Sequence, residues 1–142
     1  MTAITVRHET QDRFRISIRG HELLVDQPAP GGGDEGPTPT ELFVASLAAC
    51  AGFYARRFLA RHGLPDGELA ISCEFEWAPD HSRVASIALR VALPSGVPDG
   101  LEAPLLRVIE GCTVHKSIRQ MPIVTYEITA ATGGRELPIA VA

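Results

Sequence analysis

A chain of 142 residues has room for one domain, and a hydrophobic fraction of 45% gives that domain the material for a core. Thirteen basic against seventeen acidic side chains leave a formal charge of −4, which excludes the positive field that a nucleic-acid or acidic-membrane partner needs. Charged residues at 21% and aromatics at 6% exclude a disordered chain and a stacking platform for single strands, so residues 1–142 read as one ordinary soluble domain.

Residues 1–20 carry His8, Glu9, Asp12 and four arginines without an apolar stretch, unlike a signal peptide, so the expected location is the cytoplasm. Phe14, Ile16 and Ile18 alternate with Arg13, Arg15, Ser17 and Arg19, the period of a strand with one apolar and one cationic face. Gly20-His21 reads as a turn into a second strand, Glu22–Val25. Residues 28–37, Pro-Ala-Pro-Gly-Gly-Gly-Asp-Glu-Gly-Pro, are too rich in proline and glycine for helix or strand and read as a mobile surface loop. Thr38-Pro39-Thr40-Glu41 then combines an N-cap threonine, proline at the first helical position and glutamate at the third. Helical periodicity continues to His62, where Gly63-Leu64-Pro65 stops it, predicting a helix ~36 Å long at 1.5 Å per residue. Its middle, Leu42–Ala55, is apolar on every side and is expected to be enclosed by sheet or by a partner subunit. That uncharged run falls short of a bilayer span of ~20 residues, so no membrane anchor is expected. Arg56, Arg57 and Arg61 should reach solvent at the negative end of the helix dipole.

Residues 69–77 and 82–93 predict an antiparallel hairpin around Pro79-Asp80-His81, with Ile71, Cys73, Phe75 and Trp77 on one face and Ser72, Glu74 and Glu76 on the other. A helix over 101–110 stops at Gly111, and a second runs from Cys112 through Arg119. Pro122 precedes a final strand, Ile123–Thr129. There is no internal repeat, and the element order is that of an α+β fold, not of alternating βαβ units.

Cys50, Cys73 and Cys112 are odd in number and widely spaced, which argues against a secreted disulfide framework or a zinc cage. Cys73, beside Phe75 and Trp77, reads as core. Cys50 lies mid-helix among alanines and reads either as a small buried hydrophobe or as a thiol whose thiolate needs a nearby cation, since a helix dipole acts only within the end turns. Arg13, Arg15 and Arg19 are the candidate cations. Cys112 stands at a helix start, where unpaired N–H groups lower a thiol pKa. Cys112 and His115 have the spacing of a metal-ligand pair, but no second pair accompanies them and no metal is expected. Phe43, Phe53, Tyr54 and Trp77 read as core packing, with an apolar pocket wall as the alternative.

Two segments, Gly36-Pro-Thr-Pro-Thr-Glu-Leu-Phe-Val-Ala-Ser-Leu-Ala-Ala-Cys50 and Cys112-Thr-Val-His-Lys-Ser-Ile118, together make the sequence resemble the OsmC/Ohr family of osmotically inducible and organic hydroperoxide resistance proteins over nearly its whole length. Arg19-Gly-His-Glu-Leu-Leu-Val-Asp-Gln-Pro28 precedes them as in the OsmC-like branch. The resemblance implies an OsmC-like fold, antiparallel sheets around a long central helix in an intertwined homodimer, and a thiol peroxidase without metal, haem or other cofactor. It implies that Cys50 is the peroxidatic cysteine, oxidised by an organic hydroperoxide to a sulfenic acid. It further implies that Cys112 is the resolving cysteine, which forms a disulfide with Cys50 that a dithiol or lipoylated protein reduces. Arg13, or alternatively Arg15, matches the family's arginine from the N-terminal hairpin. The family's glutamate at the start of the long helix falls on Thr40, while Glu41 stands ~100° further round and belongs to the capping box. Two rival expectations follow: a non-catalytic protein holding a small apolar ligand or partner in the dimer cleft, and a redox sensor built on the same cysteines.

Overall fold

The structure, a computed structural model, describes residues 3–128. Its elements are β1 Ile4–Thr10, β2 Arg13–Ile18, β3 His21–Val25, α1 Pro39–Arg61, β4 Ala70–Trp77, β5 Val84–Ala92, α2 Glu102–Glu110 and α3 Thr113–Arg119. β1, β2 and β3 pair in that order as one antiparallel sheet, and β4 with β5 forms a separate antiparallel hairpin. This is the expected α+β architecture of antiparallel sheets around a long helix.

In the first sheet Ile16 stands opposite Val6 and Leu23, Ile18 opposite Ile4, and Phe14 opposite Val25. Because residues opposite each other share a face, the alternation in β2 extends into an apolar face three strands wide. The chain leaves much of it uncovered: Ile4 and Val6 are more than half exposed, and Phe14 and Leu23 are exposed as well. The β2–β3 turn lies at Arg19-Gly20, both at positive φ, and His21 already pairs with Ile18. The turn expected at Gly20-His21 is therefore one residue earlier, because a two-residue hairpin turn with two positive-φ positions matches strand twist.

The glycine-rich segment is not the loose loop expected of it. Asp26 is only 1% exposed, and its carboxylate accepts hydrogen bonds from the backbone N–H of Gln27 at 2.8 Å and of Gly33 and Glu35 at 3.1 Å. The Asp26 N–H donates to the Pro37 carbonyl at 3.2 Å and closes the loop. A Cβ at Gly32 would land on the Asp26 carboxylate and the Gln27 backbone, so the close approach requires glycine there.

Helix α1 begins with the predicted box. The Glu41 N–H donates to Thr38 Oγ1 at 3.2 Å, and the Thr38 N–H donates to Glu41 Oε2 at 2.7 Å. It ends at Arg61 with His62 as C-cap. Gly63, at φ 64°, donates to Ala60, and Leu64 donates to Leu59 at 3.0 Å, the paired bonds of a Schellman stop. One face of α1, Val44, Leu47, Ala48, Ala51, Ala55, Phe58 and Leu59, is buried against β4, β5, α2 and α3. Ala55, Phe58, Leu59 and Leu105 form the core. The expected enclosure on every side is not met within one chain, since Ala45, Ala49 and Phe53 remain exposed. By length and composition alone α1 would suffice to cross a bilayer, but its buried face is fully used in packing.

In β4, Ile71, Cys73 and Phe75 are half-buried and Ser72, Glu74 and Glu76 are exposed, as the alternation predicts. Trp77 departs from its expected inward position. The register shifts between Glu76 and Trp77, and the indole, edge-on to Phe75 at 5.8 Å, is left 43% exposed at the irregular end of the ladder. The strand expected over Ile123–Thr129 is absent through Glu127: residues 121–127 carry no strand and Ile128 makes only an isolated bridge, while Thr129 lies outside the described residues. A strand needs a ladder partner for its backbone groups, and Ile123, Tyr126 and Ile128 stand exposed without one among the described residues.

Candidate active site

Cys112 is fully buried at the N-cap of α3, with extended backbone (φ −65°, ψ 148°) that turns its side chain back over the first helical turn. The Cys112 N–H donates to the Ile109 carbonyl at 2.9 Å, and its Sγ accepts from the His115 N–H at 3.3 Å. The Cys50 side chain, half-buried mid-way along α1, stands near enough to act on the Cys112 thiol, and both are free thiols. Two cysteines far apart in the chain thus meet where α3 starts against α1.

Burial pushes the Cys112 thiol above its ordinary range, and the neighbouring Cys50 adds to the rise. The N–H groups of His115 and Val114 act the other way. The sequence led to the opposite expectation, a helix start that lowers this pKa; the N–H contribution is present, but desolvation of a fully enclosed sulfur outweighs it. Cys112 is therefore held as the neutral thiol.

A cavity of about 490 Å³ opens beside it, within the range of small-molecule sites. Phe43, Leu47 and Ala51 of α1, Leu89 of β5, Ile109 of α2 and Cys112 itself line it. Phe43, Leu47, Cys50 and Ala51 follow the i, i+4, i+7, i+8 spacing of a single helix stripe, so Cys50 lies on the stripe that forms this wall. His115 reaches the same cavity. Of the aromatic candidates, Phe43 serves as pocket wall here, whereas Phe53 is exposed, edge-on to Tyr54 at 5.6 Å and beneath Arg57.

The arginines are held elsewhere within the chain. Arg13 pairs through Nη1 with Glu35 and through Nε with Glu9 at 3.1 Å, while Arg15 pairs with Glu9 at 2.6 Å and Glu22 at 3.3 Å. These carboxylates raise the already basic Arg15, and Arg13 helps hold Asp26 below the usual carboxylate range, after the N–H bonds from its own loop. Neither arginine is among the groups acting on Cys112. Thr40 occupies the second position of α1, and Glu41 is engaged by Thr38. The structure thus brings Cys50 and Cys112 together and leaves Arg13 and Arg15 in ion pairs on their own sheet and loop. Asp26 and Glu35 were not singled out from sequence, and His115 was considered only for its metal-ligand spacing from Cys112. The available signal for Asp26 was a carboxylate ending an apolar strand, Leu23-Leu24-Val25, directly ahead of a glycine run that offers N–H donors. Among the described residues no three His, Cys, Asp or Glu side chains are grouped as metal ligands.

The chain matches the OsmC-like protein family over residues 31–127. No curated protein matches it. Among solved structures it is similar to a Psychrobacter arcticus 273-4 protein named for osmotic stress induction and detoxification response, at 21% identity and a TM-score of 0.76, covering 82% of this chain and 88% of that one. An OsmC-like protein from Mycoplasma pneumoniae is similar at 14% identity and a TM-score of 0.72, covering 85% and 89%. The organic hydroperoxide resistance protein OhrB of Bacillus subtilis is similar at 19% identity and a TM-score of 0.58, covering 85% and 92%. Both cysteine segments lie within the matched residues and the same fold surrounds them, so the chain belongs to the OsmC/Ohr family.

Proposed function

We propose that this protein reduces organic hydroperoxides through a two-cysteine cycle, a reading carried by Cys50 standing beside the buried Cys112, which lines a largely apolar cavity. The Cys50 thiolate attacks one peroxide oxygen: an S–O bond forms, the O–O bond breaks, and the alkoxide takes up a proton and leaves as an alcohol. The Cys50 sulfenic acid then condenses with Cys112, forming the S–S bond and releasing water. A dithiol, such as a lipoylated protein, returns two electrons and two protons and restores both thiols. The protonated state of Cys112 fits this order, because a neutral buried thiol does not compete with Cys50 for peroxide.

In this reading the active form is a homodimer in the cytoplasm. The uncovered apolar faces of β1–β3 and of α1 are surfaces a second copy would bury, and three unpaired cysteines suit a reducing compartment. Arg13, oriented by Glu9 and Glu35, is the candidate cation for the thiolate. A second reading, redox-inert binding of an apolar ligand, is favoured by Thr40 at the start of α1 and by the ion-paired state of both arginines.

Consumption of cumene hydroperoxide with dihydrolipoamide as reductant separates the two. The cycle predicts turnover that Cys50→Ser abolishes, and a sulfenic acid that accumulates and is trapped by dimedone in Cys112→Ser. Oxidation of Cys50 no faster than that of free cysteine would leave the ligand-binding reading in its place.

A further inference from the structure

A two-cysteine cycle leaves one proton in need of a carrier. Cys112 has to lose its proton to attack the Cys50 sulfenic acid, since the thiolate is the nucleophile, and the displaced hydroxide has to gain one to leave as water. Among the described residues only Glu110, Cys112 and His115 titrate in the lining of the cavity beside Cys112; α1 and β5 contribute apolar side chains and Ser86. Arg13 and Arg15, held in ion pairs elsewhere, are not among them. His115 is half-buried, three residues after Cys112, and its N–H donates to Cys112 Sγ at 3.3 Å. Residues three apart on a helix are neighbours on one face, and the third helical residue reaches back over the N-cap. In α1 the same arrangement has Glu41 bonding back to the Thr38 N–H at 2.7 Å. At α3 the Cys112 N–H is already donated to the Ile109 carbonyl at 2.9 Å, so it does not hold His115 as the Thr38 N–H holds Glu41.

We infer that His115 is the proton-transfer residue of the resolving step, taking the Cys112 proton as that sulfur attacks and passing it to the departing oxygen. This role rests on the two-cysteine cycle and deepens it. The Cys112 S–H bond breaks toward the imidazole, and the sulfur electron pair forms the S–S bond with Cys50. The Cys50 S–O bond breaks with its pair on oxygen, the imidazolium returns the proton, water leaves and His115 is neutral again. Burial, which pushes the Cys112 thiol up, is what makes a base necessary. Glu110 is exposed at the end of α2, and a carboxylate is the weaker base; imidazole is the side chain whose ordinary pKa lies nearest neutrality.

A probe that bypasses peroxide isolates the step. In the full chain carrying Cys73→Ser, Cys50, the less buried of the pair, is converted to its mixed disulfide with thionitrobenzoate, and attack by Cys112 releases the coloured thiolate. His115→Ala should slow this release about 100-fold, the lower end of what general acid–base catalysis contributes, and added imidazole should restore it. His115→Gln, which keeps the bulk of the side chain, should be slow as well. With cumene hydroperoxide, His115→Ala should form the Cys50 sulfenic acid at the unsubstituted rate and accumulate it for dimedone to trap. Release at the unsubstituted rate in either variant would overturn the inference, as would a slow release that imidazole does not restore, which assigns the loss to the packing of α3. A chain whose mixed disulfide depends on His115 but whose Cys50 is untouched by hydroperoxide refutes the peroxidase reading alone. One that reduces cumene hydroperoxide yet releases thionitrobenzoate equally fast with and without His115 refutes the His115 role alone.

Discussion

At the scale of single residues, two buried groups set the behaviour of the molecule in opposite directions of pH. Cys112 is kept neutral by enclosure, whereas Asp26 is kept ionised, first by the Glu35 N–H and then by those of Gln27 and Gly33, with Arg13 assisting. A carboxylate whose folded value is lowered contributes stability above the ordinary value of about 3.9, and that contribution is lost as pH falls through the lowered folded value. Asp26 should therefore steepen the acid limb of the stability curve. Asp26→Asn, nearly the same shape without the charge, is expected to be less stable at pH 7 and to show a flatter acid limb in urea midpoints measured from pH 3 to 7. It should also loosen Glu35 and with it the grip on Arg13, because the Glu35 backbone is one of the carboxylate's three N–H partners.

At the scale of elements, α1 carries both the core and the reactive cysteine. Leu59 is fully buried, so Leu59→Ala should cost roughly 2–5 kcal/mol by leaving a cavity, while Thr38→Ala should cost about 1 kcal/mol by opening the capping box. Urea denaturation of both variants checks the ratio; a Thr38→Ala loss equal to that of Leu59→Ala would contradict the placement of the core. Helix α1 was legible because its signals are local: Thr38 and Glu41 three residues apart, Gly63 at the stop, and periodicity between them. The strands β2, β4 and β5 were legible for the same reason, through alternation. What escaped the sequence depends on contacts across distance. The Asp26 carboxylate gathers N–H groups from up to nine residues away, the register shift at Trp77 depends on its partner strand, and desolvation of Cys112 depends on everything packed around it. At the site, the meeting of Cys50 and Cys112 was implied by family resemblance and not by spacing, and the carboxylate partners of Arg13 and Arg15 left no periodic trace.

For the molecule as a whole, the apolar surface left open by one chain argues for a second copy. Val6 is 57% exposed on the apolar face of β1–β3, and Phe53 is 55% exposed on α1. Sedimentation equilibrium should give twice the chain mass at micromolar concentration, and Val6→Asp or Phe53→Asp should weaken association at least tenfold; a monomeric unsubstituted protein would contradict this. The central claim is that Cys50 and Cys112 work as a couple, and peptide mapping tests it most directly. The reduced protein is treated with one equivalent of cumene hydroperoxide, alkylated and digested without reductant. The account predicts a single disulfide, Cys50 to Cys112, with Cys73 alkylated; Cys50 and Cys112 both recovered as alkylated thiols, or a disulfide that involves Cys73, would contradict it.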